Sequence, residues 1–109
     1  MASDETLAGR IRDVLGRQTN IEEKKMFGGI SFLLNGNMLV GVWKESLIVR
    51  IGPEVYDEAL LESHVKEFDI TGRAMKGWVL VDPQGIDEDG PLREWIQQAT
   101  KFVEKLPKK

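Results

Sequence analysis

Four basic residues are placed where a charged side chain could do work. Arg73 and Lys76 stand three apart in the stretch TGRAMKGW, between Gly72 and Gly77. Arg50 interrupts the apolar run LIVRIG, and Lys25 follows Lys24 just ahead of MFGG. A guanidinium forks onto carboxylate or phosphate oxygens, while an ammonium acts as a compact point charge. If the glycines bend TGRAMKGW into a turn, Arg73 and Lys76 lie on one exposed rim, where Arg50 can join them. That rim would attract an acidic protein surface or a phosphate group. If the stretch is extended, the two side chains point apart. The alternative to a binding role is that Arg73 serves as an ordinary surface ion-pair partner of Asp69 or Asp82.

Residue types that carry reactions are sparse. His64 is the single histidine, and its neighbour Ser63 would point to the opposite face of a strand, so no Ser-His-acid triad forms around it. One histidine among scattered carboxylates is not a metal set. The acidic stretch DEDG lacks the calcium-loop spacing and suits a helix start instead. FGGISFLLNGN is glycine-rich but has neither phosphate-loop nor dinucleotide-binding spacing; Gly28-Gly29 reads as a bulge or bend in a strand. With no cysteine in the chain, disulfides, thiolate metal sites and thiol nucleophiles are excluded. The expectation is a protein that is not an enzyme and holds no cofactor or metal.

The totals narrow the partners. The 109 residues fit one domain, with 18 acidic and 15 basic side chains, a net charge of −3 and a pI near 5.2. Nucleic-acid binders draw affinity from phosphate contacts and carry a positive excess, so the overall charge argues mildly against direct DNA binding; a nucleic-acid-binding regulator or small anionic-ligand binder using a basic patch is the alternative. No apolar run approaches the ~18 residues of a membrane span. The opening MASDETLAGR is acidic, without a basic, then apolar leader, which leads to a cytoplasmic expectation.

The elements that must position these residues follow from periodicity. Leu7, Ile11, Val14 and Leu15 form one stripe of a helix from about Asp4 to Leu15, capped by Ser3 or Asp4. A strand is predicted from Lys25 to Leu34, then a tight turn in Asn35-Gly36-Asn37 and a strand in MLVGVW. Asn35-Gly36 and Gly36-Asn37 both remain open as the turn pair. LIVRIG makes a third strand, with Leu47, Val49 and Ile51 on one face and Ile48 and Arg50 on the other. Gly52-Pro53 starts a short helix bearing Val55, Tyr56, Ala59 and Leu60. SHVKEFDI and GWVLVD supply two more strands, with the loop PQGIDEDG after them. Leu92, Trp95, Ile96, Ala99, Phe102, Val103 and Leu106 mark a last helix that Pro107 stops. Trp78 and Trp95 are expected in the core, and Trp43 partly exposed. The sum is an α+β fold of two layers, in the order α-β-β-β-α-β-β-α, with five strands, largely antiparallel. An exposed sheet face or strand edge would allow a homodimer.

The stretches KKMFGGISFLLNGNMLVGV, LIVRIGPEVYDEAL, FDITGRAMKGWVLVD and LREWIQQATKFVEKLP, in this order, resemble the TfoX N-terminal-domain family. The resemblance runs from about Lys24 to Pro107 and rests on MFGG, NGNM and TGRAMKGW together. It implies the α-β-β-β-α-β-β-α fold with a five-stranded antiparallel sheet. It also implies a regulatory or interaction role, since the namesake regulates competence in bacteria. There a second domain, similar to helix-hairpin-helix modules, follows; these 109 residues correspond to the N-terminal domain alone. The partner expected is a protein.

Overall fold

The computed structural model describes residues 2–26, 29–69, 72 and 75–108. Helix α1 (Ala2–Val14) leads into strands β1 (Ile21–Met26), β2 (Gly29–Leu34), β3 (Asn37–Trp43) and β4 (Ser46–Arg50). A one-turn helix α2 (Tyr56–Ala59), strands β5 (Val65–Glu67) and β6 (Trp78–Val81), a 3₁₀ turn (Pro83–Gly85) and helix α3 (Asp89–Val103) complete it. All neighbouring strands are antiparallel, in the order β1-β2-β3-β4-β6-β5.

The α+β architecture is as expected, but the sheet has six strands, not five. The additional one is β1, IEEKKM, which hydrophobic alternation could not reveal. As an edge strand it is held by β2 alone, and Glu22 to Lys25 are exposed. Met26 pairs with Gly29, so the expected single strand from Lys25 to Leu34 is two strands. Gly28, read with Gly29 as a bulge or bend, lies outside the described residues. The bulge is further on, where the β2–β3 register shifts between Phe32 and Leu33. Gly29 is required for a different reason: a Cβ there would lie 1.8 Å from the Val42 carbonyl oxygen.

The turn after β2 is settled as Asn35-Gly36, with φ of 54° and 84°, closed by Leu34 and Asn37. That is the primed turn which matches strand twist. Asn37 is itself buried, its Nδ2 donating to the Pro107 carbonyl at 2.9 Å, which ties this hairpin to the chain after α3. Helix α1 starts at Ala2, so the expected caps Ser3 and Asp4 lie within it. Pro53 precedes α2 by a turn, and α2 is capped by Val55 without a side-chain bond.

Leu7, Ala8 and Ile11 of α1 and Leu92, Trp95, Ile96, Ala99 and Val103 of α3 pack onto one face of the sheet. That face presents Phe32, Leu34, Val40, Val42, Leu47, Val49, Val79 and Val81. The other face carries a smaller cluster, Met38, Ile48, Phe68 and Leu80, with Trp43, Met75 and Trp78 against it. Phe68, just after β5, and Met75 pack onto this second face, so it is not fully open. Among the described residues, no helix is long and apolar enough to cross a membrane.

Candidate functional site

Strand β4 fixes Arg50. Leu47, Val49 and the following Ile51 point to the helices, so Ile48 and Arg50 point to the second face. Arg50 is the last residue of the strand and stands directly opposite Trp78 of β6. Opposed side chains on one face meet. The Arg50 guanidinium accordingly lies over the Trp78 indole, with Cζ 4.9 Å from the ring centroid. Cζ is also 5.9 Å from the ring of Phe102, which comes from the last turn of α3. An arginine between two aromatic rings gains cation–π attraction, more so as water is removed.

Its polar contacts are few. Nη1 donates to the Met38 carbonyl at 3.5 Å, the long limit of a hydrogen bond. Among the described residues no carboxylate pairs with it. Burial lowers the Arg50 pKa from its ordinary value, yet a guanidinium stays charged at any physiological pH. Arg50 is therefore a half-buried cation with unused donors and no counter-ion among the described residues.

The neighbouring backbone holds this arrangement. Ile51 and Gly52 both donate their N–H to the Gly77 carbonyl, at 2.9 and 3.0 Å. Gly52 has φ of 90°, and a Cβ there would lie 2.5 Å from Cδ1 of Phe102, so the ring rests directly on this glycine. Gly77 has φ of 97°, and its missing Cβ leaves room for the main chain of Gly52 and Pro53. Beyond Phe102 opens a groove of about 680 Å³ between α3 and the segment after β4. Ile51, Val55, Phe102 and Leu106 give it apolar walls, and Glu54, Glu94, Lys101 and Lys105 line it as charges.

Of the four basic residues singled out in the sequence, the described residues place Arg50 and Lys76 at one end of the sheet and Lys25 away from them. Lys76 adjoins Gly77 and so lies at the same end of the sheet as Arg50; it is exposed and has no ion partner among the described residues. Lys25 is on β1, opposite Ile30, hence on the helix side and at the far edge. Arg73 lies outside the described residues. The glycine roles expected in TGRAMKGW hold: Gly72 and Gly77 take positive φ, and Met75 and Trp78 anchor onto the second cluster. Trp78 is half-buried, more open than the core position expected of it, while Trp95 is buried. Asp82 pairs with Lys66 at 3.2 Å. Asp89 begins α3 and meets Arg10, whose Nη2 also donates to the carbonyls of Ile86 and Asp87. His64 is exposed, at a φ of 70° just before β5.

Phe102 and Gly52 are the members of the site that sequence reasoning missed. Phe102 falls on the apolar stripe of α3 and reads as core, and Gly52-Pro53 reads as a helix start. Only the docking of α3 against the end of β4 sets Phe102 on Gly52 and beside Arg50.

The sequence pattern of the TfoX N-terminal domain matches residues 13–103. The chain belongs to the TfoX N-terminal domain family. Arg50, Gly52, Lys76, Gly77, Trp78 and Phe102 all fall inside the matched stretch, so the site sits on the part that defines this TfoX N-terminal domain. No curated protein and no solved structure matches the chain.

Proposed function

We propose that this TfoX N-terminal domain is a regulatory interaction module of the cytoplasm, not an enzyme, and that it works by protein contacts through the Arg50 end of the sheet. The observation that carries the reading is Arg50 itself: a half-buried cation, stacked on Trp78 and Phe102, with no acid to meet it among the described residues. Arginine and tryptophan on a partly apolar surface are the residue types that dominate protein-binding energy. A partner carboxylate would complete the guanidinium's hydrogen bonds as a charge-assisted pair, and an apolar side chain beside it would enter the groove next to Phe102. The opposed placement of Arg50 and Lys25, with a net charge of −3, supports a protein partner over a phosphate-tracking surface.

The test is selection from a random displayed peptide library, followed by NMR mapping. The expected binders share an acidic residue next to an apolar one and shift the signals of Arg50, Trp78 and Phe102. Arg50→Gln should weaken them about tenfold or more while the melting temperature moves little. Binders that lack an acid, or that map to another surface, would overturn the assignment of the site. Single-stranded DNA serves as the counter-probe: binding with a steep salt dependence would favour a nucleic-acid role instead.

A further inference from the structure

The exposed edge of β1 carries an observation independent of the Arg50 site. The closing pair of the Asn35-Gly36 turn, Leu34 and Asn37, directs the peptide groups of Leu34 toward β3. Ile21, opposite Leu34, therefore turns its own N–H and C=O away from β2. The bond from the Asn35 N–H to the Asn20 carbonyl, at 3.1 Å, confirms the phase from the other side. By alternation, Asn20, Glu22 and Lys24 bond inward, while Ile21, Glu23 and Lys25 present both backbone groups outward. Among the described residues no strand covers them, since β1 is the first of the sheet order. Helix α1 packs over β2 and β3, inboard of this edge.

We propose that this edge is a self-pairing strand, by which two copies of the chain join their sheets antiparallel through β1. A twofold axis perpendicular to the sheet sets each residue opposite one on the same face. The register centred on Glu23 opposes outward groups to outward groups along the strand: Ile21 meets the partner's Lys25, and Glu23 meets the partner's Glu23. In that register Glu22 stands opposite the partner's Lys24, twice by symmetry. Both residues are exposed and neither has an ion partner among the described residues.

The one like-charge contact is already neutralised. Glu23 is chelated by Arg12, whose Nε and Nη2 each donate to it at 2.9 Å. Each Glu23 thus reaches the axis as half of a neutral ion pair and not as a bare carboxylate. Centring on Lys24 instead would set lysine against lysine and leave Ile21 without an opposite among the residues of the strand. Charges on an edge strand ordinarily discourage pairing with other chains. Here the order Glu-Glu-Lys-Lys discourages neutral or singly charged strands and complements a second copy of itself.

The area gained by one strand pair is small, so the expected dimer is weak and concentration-dependent. Sedimentation velocity of the full chain between roughly 10 μM and 1 mM should show monomer passing to dimer, less so at high salt. Glu22→Lys should weaken the dimer about tenfold, and the charge swap Glu22→Lys with Lys24→Glu should restore it. Lys25→Pro, which removes an outward N–H that β2 does not use, should abolish it while leaving the circular dichroism spectrum unchanged. A chain that stays monomeric to the highest concentration overturns the proposal. So does a dimer indifferent to Glu22→Lys, or one that the charge swap fails to rescue, because its copies would be meeting on another surface.

Discussion

Replacing Gly52 by alanine tests the seat of Phe102 directly. The new Cβ would lie 2.5 and 2.6 Å from Cδ1 and Cε1 of the ring, where carbon atoms rest at about 3.5–4.0 Å. The backbone at φ of 90° adds its own penalty, since an L side chain there costs roughly 1–2 kcal/mol. Relieving the collision by pushing the ring aside costs about 1–3 kcal/mol more. The sum, roughly 2–5 kcal/mol, is a large share of the about 5–15 kcal/mol available to a domain of this size. At about 4 °C per kcal/mol, the melting temperature should fall by roughly 8–20 °C. The decisive assay is urea unfolding of wild type, Gly52→Ala, Phe102→Ala and the double variant. Without the ring only the backbone penalty remains, so Gly52→Ala should cost about 1–2 kcal/mol in the Phe102→Ala background, a coupling of about 1–3 kcal/mol. Equal costs in both backgrounds would show that the ring does not rest on Gly52. The support assigned to Arg50 would then be wrong as well.

Trp95→Ala should cost roughly 3–5 kcal/mol, because the indole is buried among the α3 contacts to the sheet; a variant melting within a few degrees of wild type would contradict this. Gly36→Val should destabilise by about 1–2 kcal/mol or more, since Gly36 holds a φ of 84° that a β-branched side chain resists; thermal unfolding measures it, and an unchanged midpoint would remove the turn assignment. Burial, and then the negative charge of Glu67 that accepts its hydroxyl at 3.2 Å, raise the Tyr56 pKa above the usual tyrosine value. The folded state thus holds that proton more tightly than the unfolded one. Its contribution to stability is complete below the ordinary tyrosine pKa and is lost as pH rises through the raised folded value. Tyr56→Phe should flatten this alkaline loss in urea titrations, and an unaltered slope would count against the Tyr56–Glu67 contact.

Sequence pattern made most of the fold legible because the helices bury one face and the central strands bury both, as apolar runs. The α3 stripe, the apolar runs of β3 and β4 and the Asn-Gly turn each follow from local pattern alone. IEEKKM did not, because an edge strand paired on one side needs no apolar face, and its charges read equally well as loop. The site was half legible. Arg50 broke the apolar pattern of its strand, and that flagged it. Its setting depends on Trp78 and Phe102, which are distant in sequence and arrive through the β4–β6 ladder and the docking of α3. Lys25 looked equivalent to Arg50 in composition, but strand parity places the two on opposite faces.

Phe102 lies one residue before the end of α3, where only the bonds from Glu104 to Thr100, Lys105 to Phe102 and Leu106 to Val103 continue the coil. Terminal turns open at far lower free energy than a domain's centre. The lower support of Arg50 therefore belongs to a part of the chain that can come undone while the sheet and the rest of α3 remain intact. A ligand that needs both aromatic rings in place must hold that last turn shut. Part of its binding energy is then spent on ordering the helix end, and anything that stabilises this turn from elsewhere, such as the Asn37 bond to Pro107, tightens the site without touching it.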